Sequence, residues 1–162
     1  RAAVAGLQLA NEPALNSAGY DDAVKAYYTA ALSGARVPLP SLPLLMSFIP
    51  PNDLGVPAFV RGLEQAGHGP IVVDHHWYLN WATLPGQELG WDELHRRACH
   101  EAAQSWSAYA AEGVQLVVGE WSLATNHDKP LDLRDSATVT QLRQLFREQL
   151  SVYAASPSVQ GA

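Results

Sequence analysis

The chain has 162 residues, of which 48% are hydrophobic and 16% charged, and its formal net charge is -6. A chain of this length predicts one domain with enough apolar side chains for a sizeable core. The acidic balance and the lack of a lysine or arginine cluster disfavour a nucleic-acid backbone as a partner. No apolar run reaches about 18 residues, the length that a membrane-spanning helix needs. We therefore expect neither nucleic acid nor a membrane as a partner.

The first predicted element is a strand at residues 4–10, an apolar run that ends at Asn11, Glu12 and Pro13. Such a run is typical of a strand buried on both faces of a parallel sheet. A core strand this close to Arg1 predicts that the sequence is a piece of a longer protein. Glu12 lies at the C-terminal tip of the strand, where α/β barrels keep catalytic groups. Alone, it could equally be a strand-end glutamate that points into water.

Three further strands, each followed by a helix, are predicted from hydrophobic periodicity. Asp92 is expected to cap the third helix, and Gly113 to end it. In chain order the later elements are a helix at 21–32, a strand at 44–49, a helix at 56–65, a strand at 70–78, a helix at 92–112, a strand at 114–121 and a helix at 136–153.

The spacing of the strand ends predicts the fold class. Glu12, Phe48, His76 and Glu120 are 36, 28 and 44 residues apart, which brackets the roughly 31 residues per unit of an eight-unit barrel. A doubly wound open sheet is the alternative, but no glycine-rich phosphate loop follows the first strand. The predicted fold is α/β, a partial (β/α)8 TIM barrel of about four βα units. Four units leave two open sheet edges.

The carboxylates of Glu12 and Glu120 both end apolar strands. The curvature of a barrel would bring these tips together over its mouth. Carboxyl groups about 5–5.5 Å apart indicate a retaining glycosidase, whereas a gap of about 6.5–9.5 Å indicates an inverting one. The sequence leaves that distance open, and the chemistry requires no metal or cofactor.

His76 and Tyr78 alternate along the third predicted strand and so share one face. A tyrosine hydroxyl that donates to Glu120 would keep that carboxylate ionised, while Glu12 must hold a proton to act as an acid. Asn11 offers an amide for a sugar hydroxyl. The alternative for Tyr78 is an ordinary half-buried phenol.

Three segments together resemble the motifs of glycoside hydrolase family 5, in their usual order. They are Asn11-Glu12-Pro13, His76-Trp77-Tyr78 and Gly119-Glu120-Trp121-Ser122. The second and third are most similar to the fungal exo-β-1,3-glucanase group. The resemblance spans strands four to seven of that family's barrel, which is essentially all of residues 1–162.

The resemblance implies a role for each matching residue. Glu12 would be the acid/base, Glu120 the nucleophile that forms a glycosyl-enzyme, and Asn11 a ligand of the sugar 2-hydroxyl. His76 and Tyr78 would orient the nucleophile and touch the sugar, and Trp121 would contact the substrate. The implied reaction is hydrolysis of β-glucan or its oligosaccharides, with β-1,3-glucan cleaved from the non-reducing end.

The resemblance also implies an incomplete catalytic domain, without strands one to three and eight. Cys99 matches a helix position that pairs with a cysteine near the C-terminus in the fungal group. As Cys99 is the single cysteine here, its implied partner lies outside these residues. The expected location is secreted, either extracellular or in the cell wall.

Two alternative functions fit parts of the sequence. A non-catalytic glucan-binding relative would keep the fold, but the presence of both Glu12 and Glu120 argues against it. Asp74-His75-His76 also resembles the signature of DHH phosphoesterases, which bind two metals. That family needs an upstream Asp-x-Asp type element, and the residues before Asp74 supply nothing of the kind.

Overall fold

The computed structural model describes residues 4–13, 20–48, 55–80, 89–124 and 131–161. The predicted strand residue Ile49 lies outside these ranges. A π-helical turn, Glu64–His68, follows the second helix, and another, Arg97–Glu101, joins the third helix to the fourth. The strands and helices are β1 (Leu7–Gln8), α1 (Tyr20–Arg36), β2 (Leu44–Phe48), α2 (Val56–Leu63), β3 (Ile71–Tyr78), α3 (Trp91–Arg96), α4 (Ala102–Ala111), β4 (Gln115–Ser122) and α5 (Ser136–Ala155).

Across the described ranges the sheet has four parallel strands in the order β1-β2-β3-β4. Leu44 pairs with Ile71, and Phe48 pairs with His75, so β2 and β3 run side by side in full register. Parallel strands end at the same edge of a sheet. The carboxyl ends of β1, β3 and β4 therefore bring the three predicted motifs to one edge.

The predicted fold class, a partial (β/α)8 TIM barrel of about four βα units, is wrong for this chain. The chain is an α/β protein whose four-stranded parallel sheet is open and curves into a half-barrel. Within the described ranges β1 has β2 as its one neighbour. A closed barrel requires every strand to pair on both sides, and the spacing of strand ends along a sequence contains no information about that pairing.

The first strand is also shorter than its apolar run predicts. Only Leu7 and Gln8 have strand pairing, and both are exposed. Their pairing is extended by bonds from Leu7 N to Pro43 O and from Leu9 N to Leu45 O, each of 3.0 Å. The expectation of a long strand buried on both faces is therefore wrong, because burial of β1 on both faces needs cover that no described element supplies.

The core lies between the sheet and the helices. Alternate residues of β3 and β4, including Val73, His75, Leu116 and Val118, point to this side and are buried. Helix residues complete the layer: Tyr28 of α1, Val60 of α2, Trp106 and Tyr109 of α4, and Tyr153 of α5. The residues between them in sequence point to the opposite face of the curved sheet, which is its concave face. Ser47, Asp74 and His76 are buried polar groups on this concave face.

The helix ends follow the local chemistry with one exception. Gly113 has a φ of 68° and follows α4, which confirms it as the residue that ends this helix. Asp92 is not the N-cap of α3, because the helix begins at Trp91 and Gly90 occupies the cap position. At α5 the cap is Asp135, whose carboxylate accepts bonds from the amides of Ala137 and Thr138.

The C-terminal segment covers the outer edge of β4. Val159 forms a parallel bridge with Leu116, and Leu116 bonds Ser158 O and Gln160 N at 2.8 Å each. This pairing hides backbone groups that a bare edge would expose. Of the helices in the described ranges, none combines the length and apolar composition that crossing a bilayer requires.

Candidate active site

The position of Glu120 depends on a β-bulge in β4. His75 pairs with Val118 and His76 pairs with Glu120, so Gly119 is the extra residue on β4. Strict alternation from Val118 would turn Glu120 towards the helices, because residues two apart share a face. The bulge reverses that alternation. Glu120 therefore lies on the concave face, beside His76 and Tyr78.

The bulge residue must be a glycine because Asp74 occupies the space beside it. A Cβ atom on Gly119 would lie 2.0 Å from Asp74 Oδ1 and 2.9 Å from its Cγ. Such distances are far inside van der Waals contact. Gly119 and Asp74 therefore form one packed unit under the carboxylate of Glu120.

Glu120 is held by Tyr78 from the neighbouring strand. The Tyr78 hydroxyl donates a hydrogen bond of 2.7 Å to Glu120 Oε2. This bond, together with burial and the nearby charges of Glu120 and Glu12, raises the pKa of Tyr78 from 10.0 to about 12. The Glu120 side chain is 44% exposed, so the carboxylate is oriented by one strong donor while it stays open to a ligand.

Glu12 is held by His76 at the end of β1. His76 Nδ1 lies 2.7 Å from Glu12 Oε1, and the imidazole is 1% exposed whereas the Glu12 side chain is 33% exposed. The Glu12 backbone has a φ of 41°, and its amide donates to Ser47 Oγ at 3.3 Å. A left-handed non-glycine residue costs about 1–3 kcal/mol and persists where its surroundings impose it, often at a functional site.

The two carboxylates and the imidazole form a compact cluster. One donor atom each from Glu12, His76 and Glu120 lie within 4.8 Å of one another. In the described part of the chain these donors are close enough together for a metal ion. The contact of 2.7 Å between His76 Nδ1 and Glu12 Oε1 is that of a hydrogen bond, so an ion would have to push these atoms apart.

The remaining predicted site residues divide between the two faces. Asn11 is exposed next to Glu12 and accepts a weak bond from Gln8 Nε2 at 3.3 Å. Trp121 pairs with Trp77 on the helix side of the sheet. Its ring packs against Phe146 and Tyr153 of α5, with centroids 5.6 and 5.4 Å away. Asn11 is therefore adjacent to one member of the cluster in sequence and contacts Gln8, whereas Trp121 lies on the opposite face of the sheet.

Three residues that contact the cluster or one another, Gln8, Ser47 and Asp74, were not among the predicted residues of a glycosidase site. Asp74 Oδ2 accepts a bond of 2.7 Å from Gln8 Nε2 and lies 3.5 Å from His76 Nε2. Ser47 pairs with Asp74 in the sheet, and its Oγ atom accepts a hydrogen bond from the Glu12 amide. Asp74 precedes His76 by two positions, so alternation alone could have placed it on the same face. For Ser47 and Gln8 the one signal in the sequence is a polar side chain within an otherwise apolar run.

The Asp74-His75-His76 segment does not converge on one point. His75 points to the opposite face, where its ring stacks on Trp77 and meets the edge of Trp106, both with centroids 5.8 Å away. Burial, with a smaller contribution from the charge of His76, lowers the pKa of His75 to about 3. His75 is therefore a neutral core residue, separate from the cluster.

Cys99 lies away from this edge of the sheet, in the π-helical turn between α3 and α4. Burial and the nearby Glu148 carboxylate raise the pKa of the Cys99 thiol. A thiol in such surroundings is a poor nucleophile.

Comparison with protein-family models finds no matching family, and comparison with curated proteins finds no similar sequence. The interpretation of the cluster therefore depends on its own geometry and chemistry.

Proposed function

We propose that the protein is a retaining β-glycosidase that hydrolyses β-glucan, with Glu12 as acid/base and Glu120 as nucleophile. The observation that carries the proposal is the pairing of two half-exposed carboxylates with oxygens within 4.8 Å of each other. A retaining mechanism places its carboxyl groups about 5–5.5 Å apart, and an inverting one needs a wider gap of about 6.5–9.5 Å to seat a water molecule. The short gap favours retention.

The partners of the two carboxylates fit different roles. Glu120 accepts a hydrogen bond from the Tyr78 hydroxyl, which holds its carboxylate in place as a nucleophile requires. Glu12 shares a contact of 2.7 Å with an imidazole nitrogen, which provides a place for a mobile proton. Two carboxyl groups with distinct surroundings are the arrangement that separates acid from nucleophile in such sites.

The reaction then proceeds in two steps. Glu120 attacks the anomeric carbon while Glu12 protonates the departing glycosidic oxygen, which leaves a glycosyl ester on Glu120. Glu12, now a carboxylate, takes a proton from water as that water attacks the ester. Asn11 is next to Glu12 and binds the sugar 2-hydroxyl in this scheme.

The finer parts of the proposal come from the family 5 resemblance. They are cleavage of β-1,3-glucan from the non-reducing end, secretion to the cell exterior or wall, and a disulfide from Cys99 to a cysteine outside residues 1–162. Trp121 is left out of the substrate contacts, because its ring packs against α5.

Azide rescue tests both carboxylates in one experiment. Glu12→Ala should lower kcat/KM for a phenyl β-glucoside by about 10²–10⁴-fold but spare kcat/KM for a dinitrophenyl β-glucoside, whose leaving group needs no acid. Hydrolysis of the glycosyl ester should be slow with both substrates, because the base is missing. With azide this variant should release a β-glucosyl azide. Glu120→Ala should lose turnover of both substrates and give an α-glucosyl azide, because azide then attacks from the vacated face.

Three results would count against the proposal. Unchanged turnover in either variant would remove that carboxylate from its role. Glucan affinity in the wild-type protein without any hydrolysis would favour a binding protein instead. Phosphodiester cleavage that depends on added Mn²⁺ would favour a metal phosphoesterase.

A further inference from the structure

Asp74 presents a buried carboxylate to the ring nitrogen of His76 that faces away from Glu12. Its side chain is 8% exposed, and its Oδ2 atom lies 3.5 Å from His76 Nε2. The same Oδ2 accepts the Gln8 amide at 2.7 Å, while Oδ1 packs where a Cβ of residue 119 would be. Asp74 is therefore fixed in place from two sides.

These surroundings decide which nitrogen of His76 carries a proton. Among the described residues Nε2 has no hydrogen-bond partner, and Asp74 is the charged group beside it. A bare Nε2 would direct its lone pair at a carboxylate inside a site with little water, where repulsion is strong. A proton on Nε2 converts that repulsion into attraction. The favoured ring is protonated at Nε2.

The opposite nitrogen, Nδ1, then shares one proton with Glu12. A separation of 2.7 Å between Nδ1 and Glu12 Oε1 is that of a short, charge-assisted hydrogen bond. The pair is either a charged imidazolium beside a carboxylate or a neutral ring beside a carboxylic acid. In both forms the contact stores the proton that an acid at Glu12 must deliver.

We propose that Asp74 is a positioning residue that keeps His76 protonated at Nε2 and so retains the acid proton in the His76–Glu12 contact. This inference rests on the proposed glycosidase function. When the glycosidic bond breaks, the shared proton goes to the leaving oxygen, and a Glu120 oxygen bonds to the anomeric carbon. His76 is left neutral and protonated at Nε2, and Glu12 is left as the carboxylate that later deprotonates water.

The charged groups around His76 lie on three different parts of the chain. Glu12 lies on the segment after β1, Asp74 is on β3, and Glu120 of β4 has its Oε2 atom 3.7 Å from His76 Nδ1. His75 is the adjacent titratable group on its own strand, and it points to the other face. Of the three carboxylates, Asp74 is the one on the Nε2 side of the ring, while Glu12 and Glu120 lie on the Nδ1 side.

The tautomer can be measured directly on the wild-type protein. Two-dimensional NMR of the imidazole nitrogens, with the His76 signals assigned by their loss in His76→Gln, should show a proton on Nε2 across neutral pH. A ring protonated at Nδ1 with a bare Nε2 would overturn the role of Asp74. This readout does not need any catalytic activity.

Asp74→Asn tests whether the Asp74 charge is the cause. This near-isosteric change removes the charge and keeps the packing against Gly119. Loss of a nearby negative charge makes the shared proton easier to release, so the alkaline limb of kcat/KM should move down by about one pH unit. Above that limb, kcat/KM for a phenyl β-glucoside should fall by up to about tenfold, while a dinitrophenyl β-glucoside keeps the wild-type kcat/KM.

The matched control is Glu148→Gln, which makes the same acid-to-amide change beside another histidine, His95. It should change the His95 nitrogen signals and leave both substrates and the pH profile unaffected. An Asp74→Asn variant that is folded and keeps the wild-type alkaline limb would make Asp74 merely structural and overturn the inference. A wild-type protein that cleaves no glycoside would overturn the proposed function instead, whatever the tautomer is.

Discussion

His75 and His76 are adjacent in β3 and have opposite surroundings. His76 meets three carboxylates on the concave face, whereas His75 is enclosed by the rings of Trp77, Trp106 and Tyr109. One residue type therefore serves proton chemistry at one position and core packing at the next. The cause is the alternation of a strand, which sends neighbours to opposite faces.

Tyr78 offers a prediction at the residue scale. Its pKa is raised to about 12 by the bond to Glu120, so the neutral phenol is the form that the fold stabilises. The stability from this bond is complete below about pH 10, the ordinary tyrosine pKa, and is lost as the pH rises through about 12. The difference in alkaline absorbance between wild type and Tyr78→Phe should have its midpoint near pH 12.

Glu120→Gln serves as the control for that titration. Without the carboxylate the midpoint should fall towards 10.0, the ordinary value. Circular dichroism at the same pH values checks that the chain is still folded. A wild-type midpoint already near 10.0 would show that the hydrogen bond does not form in solution.

At the scale of an element, the bulge in β4 connects packing to chemistry. Gly119 is skipped in the pairing of β4 with β3, and this single residue turns Glu120 to the concave face. Asp74 occupies the space beside the bulge, so the residue inferred to position His76 also imposes a glycine on the next strand.

Gly119→Ala should therefore destabilise the protein. Its Cβ would be placed 2.0 Å from Asp74 Oδ1, and relief of such overpacking costs about 1–3 kcal/mol. The free energy of unfolding from urea denaturation measures the effect. Gly34→Ala in α1 is the matched control, because no atom lies within 4 Å of its added Cβ, and it should stabilise the helix by about 0.5–1 kcal/mol. Equal effects of the two substitutions would contradict the clash.

At the scale of the whole molecule, a buried histidine, His75, and a partly buried one, His95, give stability opposite dependences on pH. Burial lowers the pKa of His75 to about 3. For His95 burial acts in the same direction, but bonds to Glu148 and Gln141 outweigh it and raise the pKa. Protonation thus opposes folding at His75 and favours it at His95, which joins α3 to α5.

Acid stability should depend strongly on His75. Its folded pKa lies below the unfolded value of 6.5, so its contribution is complete above pH 6.5 and is lost as the pH falls towards 3. A difference of one between the folded and unfolded pKa values corresponds to about 1.4 kcal/mol of folding free energy. Urea unfolding at a series of pH values gives the free energy of unfolding as a function of pH. Between these two pH values the slope of that curve should be smaller in His75→Phe, by the amount that corresponds to about one bound proton.

His95→Gln is the comparison for that experiment. Because the folded pKa of His95 is raised, its contribution is present below the unfolded pKa and is lost as the pH rises, so this variant should lose stability mainly at acidic pH. An unchanged slope in His75→Phe, together with a His75 NMR titration near 6.5, would contradict the buried neutral ring.

Much of the secondary structure and part of the site could be predicted from local patterns. Periodicity located β2, β3, β4 and the later helices, since a strand repeats every two residues and a helix about every 3.6. The same alternation put His76 and Tyr78 on one face. The strand ends singled out Glu12 and Glu120 as a pair, because parallel strands end at one edge of a sheet.

Other features depended on contacts between distant residues, and only the tertiary structure decided them. The bulge residue at 119 has to be a glycine because Asp74, 45 positions earlier, fills the adjacent space. Alternation along residues 119–122 puts Glu120 and Trp121 on opposite faces, but the bulge decides that Glu120 is the one on the concave face. The short β1 depends on which elements cover and pair with it, and a period along one strand contains no record of its partners. What the sequence by itself determined is which groups end the strands, while cross-strand packing determined which of them meet.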